Sequence, residues 1–173
     1  MKIRKACFGE ESRILEFYEQ LIDQMQDAPY PIRWVKGIYP VEADIKDAVE
    51  AGSMYVSEEE NHIIGAFIVN HTQGEGYELA CWEKQGADEN IAVLHLLATD
   101  PKLQGRGIGR KMLEKAVEIC RNEKDISIRL DTLPWNVPGK KLYESFGFRY
   151  RGDVELAYPS TGKISFSMYE FLL

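Results

Sequence analysis

Between Ile91 and Cys120 the chain reads IAVLHLLATDPKLQGRGIGRKMLEKAVEIC, and this run restricts the fold more than any other. An apolar stretch, a buried strand over Ile91 to Ala98, turns through Asp100 and Pro101 into three alternating glycines, Gly105, Gly107 and Gly109. An amphipathic helix follows at once, from about Gly107 to Asn122. On it Ile108, Met112, Ala116 and Ile119 form one row and Leu113, Val117 and Cys120 the adjacent one, while Lys111, Glu114, Lys115 and Glu118 make a solvated face. Strand, glycine loop and helix in this order make an anion site. Glycine lets consecutive backbone N–H groups converge, and the first amides of a helix have no internal partner and carry the positive end of its dipole. With Arg106, Arg110 and Lys111 alongside, phosphate or pyrophosphate is the expected ligand.

The remaining segments arrange themselves around that unit. Met1 to Phe8 reads as a strand. Glu10 to Gln26 reads as a helix, with Ile14, Phe17, Tyr18, Leu21, Ile22 and Met25 at three- and four-residue steps. Pro29 and Pro31 end it, and Glu42 to Ala51 forms a second helix stopped by Gly52. Ser53 to Ser57 and His62 to Asn70 make a hairpin across a turn of about four residues, EEEN. A further strand is expected near Tyr77 to Glu83. After the central helix come a strand over Ile126 to Asp131, a short helix over Asn136 to Phe146 closed by Gly147, and a final antiparallel pair, Phe148 to Leu156 and Lys163 to Leu172. The order is that of a mixed α/β domain, a meander first and β-α-β-α-β later, and at 173 residues one domain over residues 1–173 is expected.

A net charge of -7 argues against general affinity for nucleic acid or an anionic membrane, and fits a cationic substrate. No segment is long and apolar enough to span a bilayer, and the N-terminus lacks a signal-peptide core, so a cytoplasmic location is expected. Cys7, Cys81 and Cys120 have no metal-ligand spacing, and no metal is expected; Cys120 belongs to the core.

Two familiar phosphate loops fit poorly. A dinucleotide fold needs G-x-G-x-x-G early in its domain, whereas here G-x-G-x-G arrives after several strands; a P-loop needs Lys-Ser/Thr after its last glycine, whereas Arg110 and Lys111 follow Gly109. The pattern Gln/Arg-x-x-Gly-x-Gly/Ala is met by Gln104, Gly107 and Gly109. Downstream, Asn136, Leu142, Tyr143, Gly147 and Phe148 supply a second spaced element. Together these resemble the GNAT-type N-acetyltransferase superfamily, and IRKACFGEESRILEF is similar to its usual first strand and helix.

That resemblance implies a mostly antiparallel central sheet flanked by helices, with splayed fourth and fifth strands. It implies that acetyl-CoA is the acetyl donor, its pyrophosphate on Gln104, Gly105, Arg106, Gly107, Ile108, Gly109 and Arg110. The pantetheine arm would pair with Leu97, Ala98 and Thr99, and Asn136 would contact it or order the loop that does. Tyr143 corresponds to a tyrosine that protonates the departing thiolate. The acceptor is expected to be a primary amine of a small molecule, amino acid or peptide, attacking directly in a ternary complex; a non-catalytic acyl-CoA binding module is the alternative. An alkyl amine is neutral in only about one molecule in a few thousand at pH 7, so a base is required. His95 is the candidate by type and by nearness to Leu97, with Glu78, Glu83 or a water chain as alternatives; strand alternation puts His95 on the same face as Leu97, which a bulge in this strand, as the family has, would change. Trp34, Tyr30 and Tyr39 with Glu42 and Asp44 are expected to form an aromatic, acidic acceptor wall, and the protein to be a monomer or homodimer.

Overall fold

The computed structural model describes residues 1–173. The strands β1 (Lys2–Lys5), β2 (Met54–Glu59), β3 (His62–Asn70), β4 (Ile91–Thr99), β5 (Ser127–Thr132), β6 (Arg149–Tyr158) and β7 (Gly162–Leu172) form one sheet in the order β1-β2-β3-β4-β5-β7-β6. All neighbours are antiparallel except β4 and β5. The helices are α1 (Glu11–Met25), α2 (Glu42–Glu50), α3 (Ile108–Glu123) and α4 (Val137–Phe146). None is long and apolar enough to cross a membrane.

The apolar periods place the helices. Ile14, Phe17, Tyr18 and Leu21 of α1 pack with Ile45 and Val49 of α2 on one face of the sheet, against Met54, Val56, Ala66, Ile68, Leu96 and Ala98. Met112, Leu113, Ala116, Val117 and Cys120 of α3 cover the other face with Tyr143 of α4, against Phe67, Val69, Leu94, Ile128 and Leu130. Apolar rows at helical spacing thus bury against alternate strand residues on both sides.

Three details differ from expectation. The hairpin turn is tight: Glu60 and Asn61 take φ of 50° and 63°, the two left-handed residues of a type I′ turn, so β2 runs on through Glu59. Tyr77–Leu79 is a short 3₁₀ turn rather than a strand. Both edges of β5 are taken, by β4 and β7, so this segment has no ladder to join; it instead seats Tyr77 and Trp82 in a third apolar cluster with Val93, Val154, Phe166 and Met168. Finally, β4 carries a bulge. Ile68 pairs with His95 and Ala66 with Ala98, so the single residue Phe67 faces two residues, Leu96 and Leu97, and Leu96 takes φ 51°. The extra residue reverses the alternation: His95, Leu96 and Ala98 face the α1 side, and Leu97 packs on the α3 side. His95 and Leu97 therefore stand on opposite faces, not the same one.

The Tyr18 hydroxyl on α1 donates to the Leu96 carbonyl (2.8 Å), giving the bulged backbone a partner that the ladder does not offer.

Candidate functional site

The parallel pairing of β4 with β5 runs through Ile91↔Ser127, Ala92↔Ile128 and Val93↔Arg129 and then stops. Beyond it each strand keeps its outer partner: β4 remains paired with β3 as far as Thr99, and β5 with β7 as far as Thr132. The sheet opens in its middle, and the β5-facing edge of Leu94 to Thr99 has no strand against it. Leu97, Ala98 and Thr99 lie on this open edge, the place expected for an added, strand-like ligand.

The edge leads through Pro101–Leu103 into the glycine loop. Gly105 (φ 85°) and Gly107 (φ 74°) are in the left-handed region, with free space where a Cβ would stand, so backbone conformation selects glycine there. Gly109 is glycine for another reason: a Cβ would come 2.9 Å from Leu142 Cδ2, where α3 crosses α4. The first helical bond runs from Lys111 N–H to Gly107 C=O (3.1 Å), so the amides of Gly107, Ile108, Gly109 and Arg110 precede it and present the donor cluster of a sixteen-residue helix. Around them, Ile108 is buried in the core, the Arg106 guanidinium makes a two-pronged bond to Glu59 (3.0 and 3.1 Å), and Arg110 lies 5.4 Å over the Phe146 ring. Gln104 is exposed at the loop's start. The groups this loop offers to an anion are its backbone amides, the Arg106 charge being already engaged by Glu59.

Where the strands part lies a cleft of about 130 Å³. It brings together His95, Leu97, Asn136 and Tyr143 of the expected residues, Tyr30, Trp34 and Tyr39 of the expected wall, and Tyr158 from the last hairpin. Asn136 caps α4: its Oδ1 accepts from Gly139 N–H (3.0 Å), and its Nδ2 donates to Thr132 Oγ1 (2.9 Å). That cap explains Gly139, since a Cβ there would sit 2.8 Å from Asn136 Cγ. Tyr143 is buried between Phe148 and Tyr169, and burial, with the charge of Asp131 adding to it, holds its phenol protonated far above the usual range. Tyr18, Tyr77, Tyr158 and Tyr169 all spend their hydroxyls on protein acceptors; the Tyr143 hydroxyl does not.

His95 Nε2 lies 3.0 Å from Asn70 Oδ1. The Thr72 amide also donates to that oxygen (2.9 Å), which fixes the orientation of the Asn70 side chain. Nε2 therefore carries the hydrogen, and Nδ1 keeps the lone pair. Burial lowers the His95 pKa, opposed by the charge of Asp131, so the ring is neutral at pH 7.

The acidic side chain of the cleft is Asp131, which sequence reading passed over, not Glu42 or Asp44. Asp44 accepts from Val41 N–H (2.9 Å) at the start of α2. Glu78 accepts from Gly76 N–H (3.0 Å), and Glu83 joins Arg149, Arg151 and Glu170 in an ion network, so neither alternative base lines the cleft. Asp131 Oδ2 accepts from both Tyr77 OH and Tyr158 OH, each at 2.7 Å. Burial raises its pKa, and the two phenol hydrogen bonds oppose that rise. A signal for it was present: parallel strands are covered on both faces, so polar Arg129 and Asp131 on β5 had to have buried partners.

A mixed sheet that parts at a parallel pair, with the open edge running into the free amides of a helix start, defines a fold built to take an extended ligand along a strand edge. Residues 16–148 match the acetyltransferase (GNAT) family, and the chain belongs to that family. It is 31% identical over 78 residues to the mycothiol acetyltransferase of Beutenbergia cavernae, covering 45% of this chain and 26% of that protein. The chain thus spans about a quarter of the length of the first curated relatives it matches. Among solved structures, a GNAT-family acetyltransferase of Streptococcus agalactiae superposes with a TM-score of 0.76 at 22% identity, covering 99% of this chain and 95% of that one. The yncA protein of Salmonella typhimurium, solved with its cofactor acetyl-CoA, superposes at 0.70 with 19% identity over 100% and 94%. At these identities the two structures establish the shared fold.

Proposed function

We propose that this protein is an acetyl-CoA-dependent N-acetyltransferase acting on a primary amine in a ternary complex. The observation that carries the proposal is the stop in β4–β5 pairing at Val93↔Arg129, directly upstream of the loop amides. The residues fit the donor. The open edge at Leu97 to Thr99 offers the alternate N–H and C=O groups that an amide-bearing pantetheine arm needs, and the amides of Gly107 to Arg110 suit a pyrophosphate. Acetyl-CoA supplies a thioester whose carbonyl carbon the amine attacks and whose C–S bond breaks.

The chain's own groups account for the protons. His95, neutral with Nδ1 unprotonated, takes one from the entering ammonium and later releases it to solvent. A β4 amide at the bulge polarises the carbonyl oxygen. Tyr143, held protonated and unbonded, gives its proton to the departing sulfur and regains one from the attacking nitrogen, leaving amide and free thiol. The relative solved with acetyl-CoA and the relative named for acetylating mycothiol support this reading.

The test is thiol release from acetyl-CoA across polyamines, amino acids, aminoglycosides and peptides. Turnover with at least one class is expected, and Tyr143→Phe should lower kcat about 100-fold with coenzyme affinity kept. Coenzyme binding without thiol release from any amine overturns the enzyme reading in favour of a binding module.

A further inference from the structure

We infer that the cleft selects a small amine that enters as its ammonium and carries no negative charge of its own, and that Asp131 is the residue that selects it. The inference rests on the acetyl-transfer reading above and narrows its acceptor. β4 and β5 are parallel and last paired at Val93↔Arg129. Two residues further on, on the same face, stand His95 and Asp131, one on each lip of the opening. Tyr77 and Tyr158 both donate to Oδ2 of Asp131, which fixes the carboxylate and leaves Oδ1 free of side-chain donors, in a residue that lines the cleft. Hydrogen bonds of this kind favour the anion.

The rest of the lining contains no lysine or arginine. A ligand's ammonium therefore finds a charged partner, and a ligand's carboxylate or phosphate finds none. In an α-amino acid the carboxylate is two bonds from the nitrogen, so an ammonium seated on Asp131 would bring two like charges together in a poorly hydrated cleft. Aromatic rings complete the wall: Tyr39 and Tyr158 lie 5.9 Å apart, and Tyr18 meets Trp34 edge-on at 5.7 Å. These suit a cation or an apolar body beside it.

Size restricts the acceptor further. The segment Tyr30 to Tyr39 roofs the cleft and is tied across it, because Trp135 Nε1 donates to the Pro31 carbonyl (2.9 Å) and Arg33 lies 5.9 Å over the Trp135 ring. A cleft roofed in this way suits a short aliphatic or arylalkyl amine better than an extended peptide. Asp131 binds the ammonium, and His95 removes its proton, so loss of Asp131 acts on KM more than on kcat.

The experiment compares 2-phenylethylamine with phenylalanine, which differ by one carboxylate, and adds 1,4-diaminobutane and an alanine tetrapeptide. Calorimetry measures binding to the protein–CoA complex, and thiol release measures turnover, for wild type and Asp131→Asn. Binding of one of the two amines at least about 100-fold tighter than phenylalanine and the peptide is expected, as for a charge-assisted bond gained or lost. Asp131→Asn should raise KM for that amine about 10- to 100-fold, with kcat within about three-fold and CoA affinity unchanged, while its thermal midpoint stays at or above wild type. Phenylalanine or peptide binding as well as the amines, no binding of either amine, or an unchanged KM in Asp131→Asn overturns the inference. Selective amine binding without thiol release sustains it and sinks the transfer reading; thiol release without amine preference does the reverse.

Discussion

Tyr18→Phe isolates the contact that holds the β4 bulge. Tyr18 is fully buried on α1, and its hydroxyl meets the Leu96 carbonyl at 2.8 Å. The substitution removes one oxygen and keeps the ring against Phe17 and Trp34, so its cost is that of the hydrogen bond and not of a cavity. Removing one partner leaves a buried carbonyl unsatisfied, which costs about 1–3 kcal/mol, so the loss is about 2 kcal/mol. With a urea m-value near 2 kcal/mol/M the midpoint falls by about 1 M. The second consequence is catalytic. Leu96 sits at φ 51°, a conformation disfavoured by about 1–2 kcal/mol for an L-residue, and without its partner the strand relaxes toward ordinary alternation. Leu97 and His95 then move relative to the cleft, and kcat/KM should fall about 10- to 100-fold, as displacements near 1 Å produce. Urea titration and steady-state thiol release measure the two effects. A midpoint within 0.3 M of wild type (about 0.6 kcal/mol) with kcat/KM within about two-fold would refute the claim that Tyr18 sets the bulge.

Glu10 is held at a pKa of about 2, mainly by its two-pronged bond to Arg4 (2.7 Å each) and then by the Cys7 amide. A depressed carboxylate contributes stability that is present above its ordinary value of 4.5 and lost as pH falls toward about 2. Wild type should therefore lose about 1 kcal/mol more than Glu10→Gln between pH 5 and pH 2, solvent screening included, by urea unfolding at each pH. Gly107→Ala places a Cβ at φ 74° at the first turn of α3; it should cost about 1 kcal/mol in stability and, by re-aiming the loop amides, weaken CoA binding more than ten-fold by calorimetry. Glu170 is fully buried, accepts from the Glu83 amide and Arg151, and faces Arg129 Nε at 3.7 Å, so Glu170→Ala leaves buried Arg129 uncompensated. A loss of about 3–5 kcal/mol is expected in urea unfolding, and a loss under 1 kcal/mol would mean the network is dispensable.

Much of this architecture is written in periodicity. The α3 rows from Ile108 to Cys120, the α1 stripe from Ile14 to Ile22, and the α4 boundaries at Asn136 and Gly147 follow from local rules of burial and capping, and the structure places each of them as expected. What escaped depends on which strands become neighbours. The Tyr77 segment has strand-like composition, but β7 occupies the edge it would have used. Alternation set His95 beside Leu97, whereas a bulge stabilised from α1, far away in the chain, turned them apart. By sequence Asp131 is only the end of the strand over Ile126 to Asp131. Its role appears only once Tyr158, from the last hairpin, and Tyr77, from a loop before β4, meet on one oxygen.

The opening in the sheet has an energetic logic of its own. β4 and β5 could have continued their parallel ladder, since both strands extend past Val93↔Arg129, but each instead keeps a single antiparallel partner. The backbone groups left over on the inner edges are ones that a folded chain ordinarily satisfies, and here they are left for solvent or a ligand. The same region keeps Asp131 where burial raises its pKa, and Tyr143 with a hydroxyl unspent on the protein. Each of these features costs stability locally, and each leaves a group that a ligand can engage. The cost is carried by the two flanking cores, which hold β4 from the β3 side and β5 from the β7 side. It follows that filling the site should stabilise the fold beyond the loop contacts alone. A ligand strand completes the ladder and an ammonium neutralises Asp131, so the thermal shift with both should exceed the shift with either.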